Sequence, residues 1–359
     1  MPALLALLPD SLPDSLPDSP PRCDAPELLH QLLQHEGAAP AGDILRLIVD
    51  RGLDRLPLPA RGATLQRWRA LAAVAGHDLS LLKLYEGHTD ALAILAELRV
   101  PAPPGALWGV WCAEPPDGRV TLAGSAGGAA RLSGRKQWCS GAAALSHALV
   151  SCRDADGQPW LAAVALDQPG VTVTTDGWHA VGMAGSASVD VVFDHAEARL
   201  VGASGAYLHR PGFWHGGAGI AACWYGAAQA IAGYLHTAAR ADAARNAVDQ
   251  HRLAHLGAVD IALAGAAAVL REAAAGIDAD PDADAGPLAL RARLAVEAAA
   301  TLVLQHATRA LGATPLCRDA RFARLAADLP VFLRQSHAER DLAALGRMLS
   351  ERGEPSWTL

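Results

Sequence analysis

Cysteine is sparse in this chain and follows no pattern. The six thiols, Cys23, Cys112, Cys139, Cys152, Cys223 and Cys317, are scattered through 359 residues without a Cys-x-x-Cys pair. That argues against a disulfide framework and reads as reduced cysteine in a cytoplasmic protein. Basic clusters are missing too. The formal charge is -7, and the 30 Lys and Arg residues, mostly Arg, are dispersed, so no field exists for a phosphate backbone and nucleic acid is not an expected partner. No uninterrupted apolar run reaches the roughly 18 residues of a membrane span, because Arg, Asp or His breaks each Ala-rich stretch. The opening MPALLALLPD lacks the basic n-region of a signal peptide. A metal is not expected either: His251 and His255 have i, i+4 spacing, but no third ligand is near and there is no His-Glu-x-x-His. Gly124-Ser-Ala-Gly-Gly128 matches neither nucleotide-loop pattern and reads as a turn.

What is present divides the chain into blocks. Residues 8–19 are three tandem copies of Leu-Pro-Asp-Ser, and Pro at every fourth position blocks helix and sheet alike, so residues 1–22 are expected to form a low-complexity arm. From Ala25 to Leu98 apolar residues recur at helical spacing, as in Leu28, Leu29, Leu32 and Leu33, and Asp78 with Ser80 can cap the next helix. Pro101-Ala-Pro-Pro-Gly105 stops any helix. Beyond it, short Val-, Trp- and Thr-rich runs such as Leu107–Ala113, His147–Cys152 and Trp160–Leu166 alternate with turn signals and predict an antiparallel β domain. Ala/Leu segments at 218–239, 249–277, 287–311 and 322–349 then predict four helices packed as a bundle. The predicted class is α+β, mainly α: an N-terminal helical domain (23–103), a middle antiparallel β domain (104–203) and a C-terminal four-helix bundle (204–359).

Four segments carry a likeness: Trp111-Cys-Ala-Glu-Pro-Pro116, Gly134-Arg-Lys-Gln-Trp-Cys-Ser-Gly141, Val181-Gly-Met-Ala-Gly-Ser-Ala-Ser188 and Leu311-Gly-Ala-Thr-Pro-Leu-Cys-Arg-Asp319. With the order of domains, they resemble the acyl-CoA dehydrogenase family over nearly the whole chain. The second is the most specific, resembling the family's Gly-x-Lys-x-Trp-Ile-Thr/Ser motif. The resemblance implies FAD between β domain and bundle, with Trp111, Ala113, Glu114, Trp138, Cys139 and Ser140 around the flavin. Gly312, in the last segment, would approach the dinucleotide half across a subunit contact, and Arg240 would be a phosphate partner for FAD. It further implies a homodimer or homotetramer, and an acyl-CoA or other acyl thioester as substrate. The residue types suit a flat amphipathic ring: Trp138 would lie against it, and Ser140, two residues on and so on the same strand face, would reach N5. An isolated Trp in a strand is more often a core aromatic, but the flanking Gly, Lys and Ser and the domain order favour the flavin. Ala113 stands where the family has Thr, and Ala184 where Arg is common. The last segment is short of glycines, and no Phe-Gly follows Arg240.

Oxidation of an acyl thioester requires a carboxylate beside the flavin to remove the α proton. The family's Tyr-Glu-Gly-Thr stretch is absent; its place reads Arg324-Leu-Ala-Ala-Asp-Leu-Pro330, where Asp328 is the nearest carboxylate. An Asp there is more often a helix-start or surface residue. Members that carry the base at the start of the first bundle helix point to 211–217 and so to His215, suited to act as a base or as a proton donor in flavin monooxygenases. Packing against Phe213 and Trp214 is the equal alternative. His337 is a third candidate, in a run of alternating charges that more often marks a solvated helix face. Tyr85-Glu-Gly-His-Thr-Asp90 is a chance likeness to the missing motif, although Glu86 or His88 could line the pocket. Three functions follow: a FAD-dependent acyl-CoA dehydrogenase-like oxidoreductase, a flavin-dependent monooxygenase on the same fold with His215 or His337 in place of the carboxylate, or a non-catalytic scaffold.

Overall fold

The computed structural model describes residues 24–35, 39–115, 118–124, 129–351 and 357; the arm expected at 1–22 lies outside them. Four helices come first: α1 (Ala25–His35), α2 (Ala41–Asp50), α3 (Thr64–His77) and α4 (Leu79–Glu97). Asp78 caps α4 as the spacing predicts, its carboxylate accepting the Leu81 N–H at 2.8 Å. Unlike a surface helix, α4 buries residues on nearly every side, Leu82, Leu84, Tyr85, His88 and Thr89 among them, the mark of a helix enclosed by its neighbours. One face meets the β domain, where His88 Nδ1 accepts the Trp108 N–H at 3.1 Å.

Seven strands follow: β1 (Trp108–Trp111), β2 (Val120–Ala123), β3 (Ala129–Cys139), β4 (His147–Arg153), β5 (Pro159–Ala165), β6 (Val171–Val173) and β7 (Val189–Leu200). The path β4, β2, β3, β7, β5 returns to β4, so the sheet closes into a barrel, with β1 added beside β4 and β6 beside β7. The expectation of a wholly antiparallel domain needs correction. Both β1 and β2 run parallel to β4, which is possible because neither joins it by a hairpin; the chain crosses over through intervening strands. Lys136 sits inside this barrel fully buried, its Nζ donating to Ser151 O (3.1 Å) and Oγ (2.7 Å).

The helical C-terminal part comprises α5 (Ala206–His209), α6 (Gly212–Ala244), α7 (Gln250–Ala279), α8 (Gly286–Leu311), α9 (Ala313–Arg318), α10 (Ala320–Leu333) and α11 (Glu339–Ser350). The fourth bundle helix, expected as one piece over 322–349, is two. Between α10 and α11 the Ser336 hydroxyl accepts the Ala338 N–H, and the Asp341 carboxylate accepts that of His337, both at 3.1 Å. Side-chain acceptors there take the backbone donors that a continuing helix would use. Helix α6 crosses α3 closely because Gly226 lies directly on the Ala72 backbone, leaving no room for a Cβ. By length and composition α7 is apolar enough to cross a bilayer; here it packs against α6 and α8. One continuous core joins the N-terminal helices, the barrel and the bundle.

Candidate functional site

Strand β3 does not end in regular alternation. Its pairing with β7 shifts register between Lys136 and Cys139, and within that bulge Trp138 takes a left-handed φ of 58°. Trp138 and Ser140 therefore do not share a strand face, as simple alternation would have it; the extra residue re-aims the side chains. The indole is pushed outward and stays 49% exposed. Cys139 turns the other way: fully buried, its thiol donates to Lys136 O. Its side chain is therefore part of the core.

Ser140 opens a chain of hydroxyls that sequence inspection did not anticipate. Its Oγ lies 2.8 Å from Ser188 Oγ, which lies 2.9 Å from Ser186 Oγ, which donates to Met183 O at 2.7 Å. The Met183 N–H in turn donates to Asp328 Oδ1 at 2.6 Å. The alternate serines of Gly-Ser-Ala-Ser were the only signal. Trp111, buried, steadies Ser140 from the other side, its Nε1 donating to Ser140 O at 3.2 Å. Ala113 is exposed just past β1, next to Glu114, whose carboxylate pairs with Arg153 at 2.8 Å.

Asp328 is neither at a helix start nor at the surface. It sits within α10, 3% exposed, on the wall of a cleft of about 640 Å³ that Ser80, Val181, Gly185 and Arg324 also line. Burial pushes its carboxyl up, partly offset by the Met183 N–H. The contact braces the 181–188 turn against α10. Asp328→Ala, which strands a buried N–H, is expected to cost about 1–3 kcal/mol in urea unfolding. Asp328→Asn retains an acceptor and should stay near wild-type stability and turnover; a folded Asn variant without turnover would instead make Asp328 the base.

A second cluster lies between α3, α4 and α6. His215 is 3% exposed, its Nε2 has no hydrogen-bond partner, and burial lowers its pKa. With Arg67, Glu86, Thr89 and Asp90 it encloses a cavity of about 10 Å³. Burial first, then the Glu86 carboxylate, pushes the Asp90 carboxyl up. Lys83 is lowered by burial, but Glu86 at 2.8 Å outweighs this and the net shift is upward. So Glu86 of the chance motif does line a pocket, whereas His88 turns to Asp54 and the β1 backbone.

The remaining candidates lie elsewhere. His337 is exposed in the break before α11, not on a helix face, and pairs with Asp341 at 3.3 Å. Arg240 and Gly312 are exposed at the far ends of α6 and α8. His255 Nδ1 meets His306 Nδ1 at 2.9 Å across α7 and α8.

Residues 117–196 match the acyl-CoA dehydrogenase middle domain. Amino sugar nitrososynthase DnmZ from Streptomyces peucetius is 37% identical over 144 residues, a match spanning 35% of this chain and only 35% of that protein. Among solved structures, KijD3 in complex with FMN and dTDP-3-amino-2,3,6-trideoxy-4-keto-3-methyl-D-glucose superposes with a TM-score of 0.74 at 21% identity, covering 92% of this chain and 95% of that one. Dibenzothiophene monooxygenase TdsC from Paenibacillus sp. A11-2 gives 0.74 at 19% identity, covering 91% and 97%. At such identities the structural likeness is one of fold. The protein shares the fold of these structures, mainly α with a β middle domain, and its middle segment matches the acyl-CoA dehydrogenase middle-domain model.

Proposed function

We propose that the protein is a flavin-dependent monooxygenase that oxygenates the nitrogen of a nucleotide-linked amino sugar. The observation that carries this reading is the state of Asp328. Among the described residues of 324–330 the one carboxylate, Asp328, is buried and accepts a backbone N–H, which argues against it as the acceptor of a carbon proton. Oxygenation of an amine needs no proton from carbon. The sequence match to an amino sugar nitrososynthase supports the substrate class.

The half-exposed Trp138 indole, with Ser140 and the exposed Ala113 beside it, fits the flat ring of a flavin. When bound, reduced flavin supplies the two electrons that divide dioxygen between product and water. Trp138 would hold the ring by stacking, and Ser140, set by Ser188 and Trp111, would offer a hydrogen bond at its edge. FMN is favoured over FAD. KijD3 and TdsC have both been crystallised with FMN. The uncovered apolar side of α7, with Ile261 75% exposed, supports self-association into a homodimer or homotetramer.

Supplied with reduced FMN, dioxygen and a dTDP-linked 3-amino hexose, the protein is expected to give a product heavier by oxygen at nitrogen, read by mass spectrometry. Anaerobic bleaching of its bound flavin by an acyl-CoA, with no oxygenated amine, would return the acyl thioester reading to first place.

A further inference from the structure

We infer that the small cavity between α3, α4 and α6 is the amine end of the substrate pocket, where Asp90 and His215 Nε2 each accept one N–H of an uncharged –NH2 group. The inference rests on the oxygenase reading for the class of substrate and on the cavity for the residues.

Size comes first. A space of about 10 Å³ admits one water-sized polar atom. It takes an amine nitrogen and excludes a sugar ring, so the ring must lie outside. Asp90 shows on which side. Its charge acts on both Cys112 and Tyr207, and Cys112 is the residue between Trp111 and Ala113 at the end of β1. Burial pushes the Cys112 thiol up to about 11, so it is a neutral group. Asp90 thus lines the cavity and also acts on the residue at the end of β1, whose neighbour Trp111 holds Ser140.

Valence comes next. Among the described residues no hydrogen bond reaches the Asp90 carboxylate, and none reaches His215 Nε2. His215 Nε2 is a buried acceptor without a donor, which costs about 1–3 kcal/mol, and the Asp90 carboxylate lines the same cavity, so a ligand with two donors satisfies both. Neutral histidine protonated on Nδ1 presents Nε2 as an acceptor. An –NH2 group supplies one N–H to each and keeps its lone pair free for oxygen. A hydroxyl has a single donor, and an ammonium has no lone pair.

Charge selects the uncharged form. The ionisable groups around the cavity are Arg67 on α3, Lys83, Glu86 and Asp90 on α4, Arg210 before α6, His215 on α6 and Arg293 on α8. Lys83 pairs with Glu86 at 2.8 Å and Arg210 with Glu97 at 2.7 Å. Arg210 and then Arg67 are the cations that act most on Asp90. The charge of Asp90 is already set against these guanidinium groups, so an ammonium ion would add a further cation to a site that holds several, at the cost of its own desolvation. Gly216 completes the fit: a Cβ there would come within 2.9 Å of Asp90 Oδ1.

Calorimetric titration of the full-length protein, with and without FMN, tests this. The probes are dTDP-3-amino-2,3,6-trideoxy-4-keto-3-methyl-D-glucose and dTDP alone. Wild type is expected to prefer the amino sugar. Asp90→Ala, His215→Leu and Gly216→Ala should each lose roughly tenfold or more of that affinity, the worth of about one hydrogen bond, and keep their affinity for dTDP. Gly216→Ala is the decisive variant. It retains both acceptors, adds one methyl group to the cavity and should not lower helix stability. Equal losses for both probes, no loss in any variant, or no wild-type preference for the amino sugar would each overturn the subsite. Variants that discriminate in a protein that binds no FMN would uphold the subsite and remove the oxygenase reading. FMN binding with insensitive variants would do the reverse.

Discussion

Trp138→Ala is expected to weaken FMN binding roughly 10- to 100-fold while leaving the unfolding midpoint almost unchanged. Stacking of a flat heterocycle on an aromatic side chain is worth about 1–3 kcal/mol by alanine replacement, which corresponds to that range in Kd. The folded protein gains little from this indole, since it is 49% exposed. Its left-handed φ of 58° is uncommon for a bulky residue, and alanine bears it at no greater cost. Fluorescence titration with FMN and thermal unfolding on the same sample separate the two effects. Unchanged flavin affinity would show that the ring lies elsewhere, and a large fall in midpoint would make Trp138 a structural residue.

The second large effect concerns stability. Lys136→Ala is expected to cost roughly 3–5 kcal/mol, combining a cavity inside the barrel with two oxygens of Ser151 that lose their donor. Lys136→Met should cost much less, and a gain in stability is admissible, because it fills the same space without a buried charge. The sign follows from the environment: burial lowers the Lys136 pKa, with Cys112 and Glu114 opposing. A base whose folded pKa is depressed weighs against the fold wherever it is charged in the native state. Stability therefore rises with pH between the folded pKa and the ordinary lysine value. Chemical denaturation at several pH values should show that slope in the wild type and not in Lys136→Met. Equal losses for Met and Ala would mean that the ammonium, not the volume, holds the barrel.

Much of the architecture was legible because helix periodicity is local. The Leu stripe of α1, the Asp78 cap and the Pro-rich stop at 101–105 need only a few neighbouring residues to be read, and the class of fold followed from their order. Barrel closure was not legible, since the parallel placement of β2 beside β4 joins Thr121 to Arg153 and leaves no mark on either segment. The split of the last bundle helix turns on where the side chains of Ser336 and Asp341 point, a choice that composition does not record. At the site, Trp138 was found through its motif, yet its conformation was misjudged because nothing in Lys-Gln-Trp-Cys announces a bulge. The hydroxyls of Ser186 and Ser188 gain meaning only when Ser140 is brought to them from 48 residues away. Asp90 was in view as the last letter of a chance motif. Its lack of a partner, and the lack of one at His215 Nε2, are facts of packing between helices that lie far apart in sequence.

The bulge in β3 also sets how this stretch of chain can change over evolutionary time. Between Lys136 and Cys139 the strand carries more residues than its partner β7 can match. Removing one would restore regular alternation, and in a sheet a slip of one position exchanges inside for outside along everything that follows. Substitution at the half-buried Gln137 leaves that count intact. Length is thus the quantity under constraint here, and related chains should differ freely at 137 while tolerating no insertion or deletion between 136 and 139.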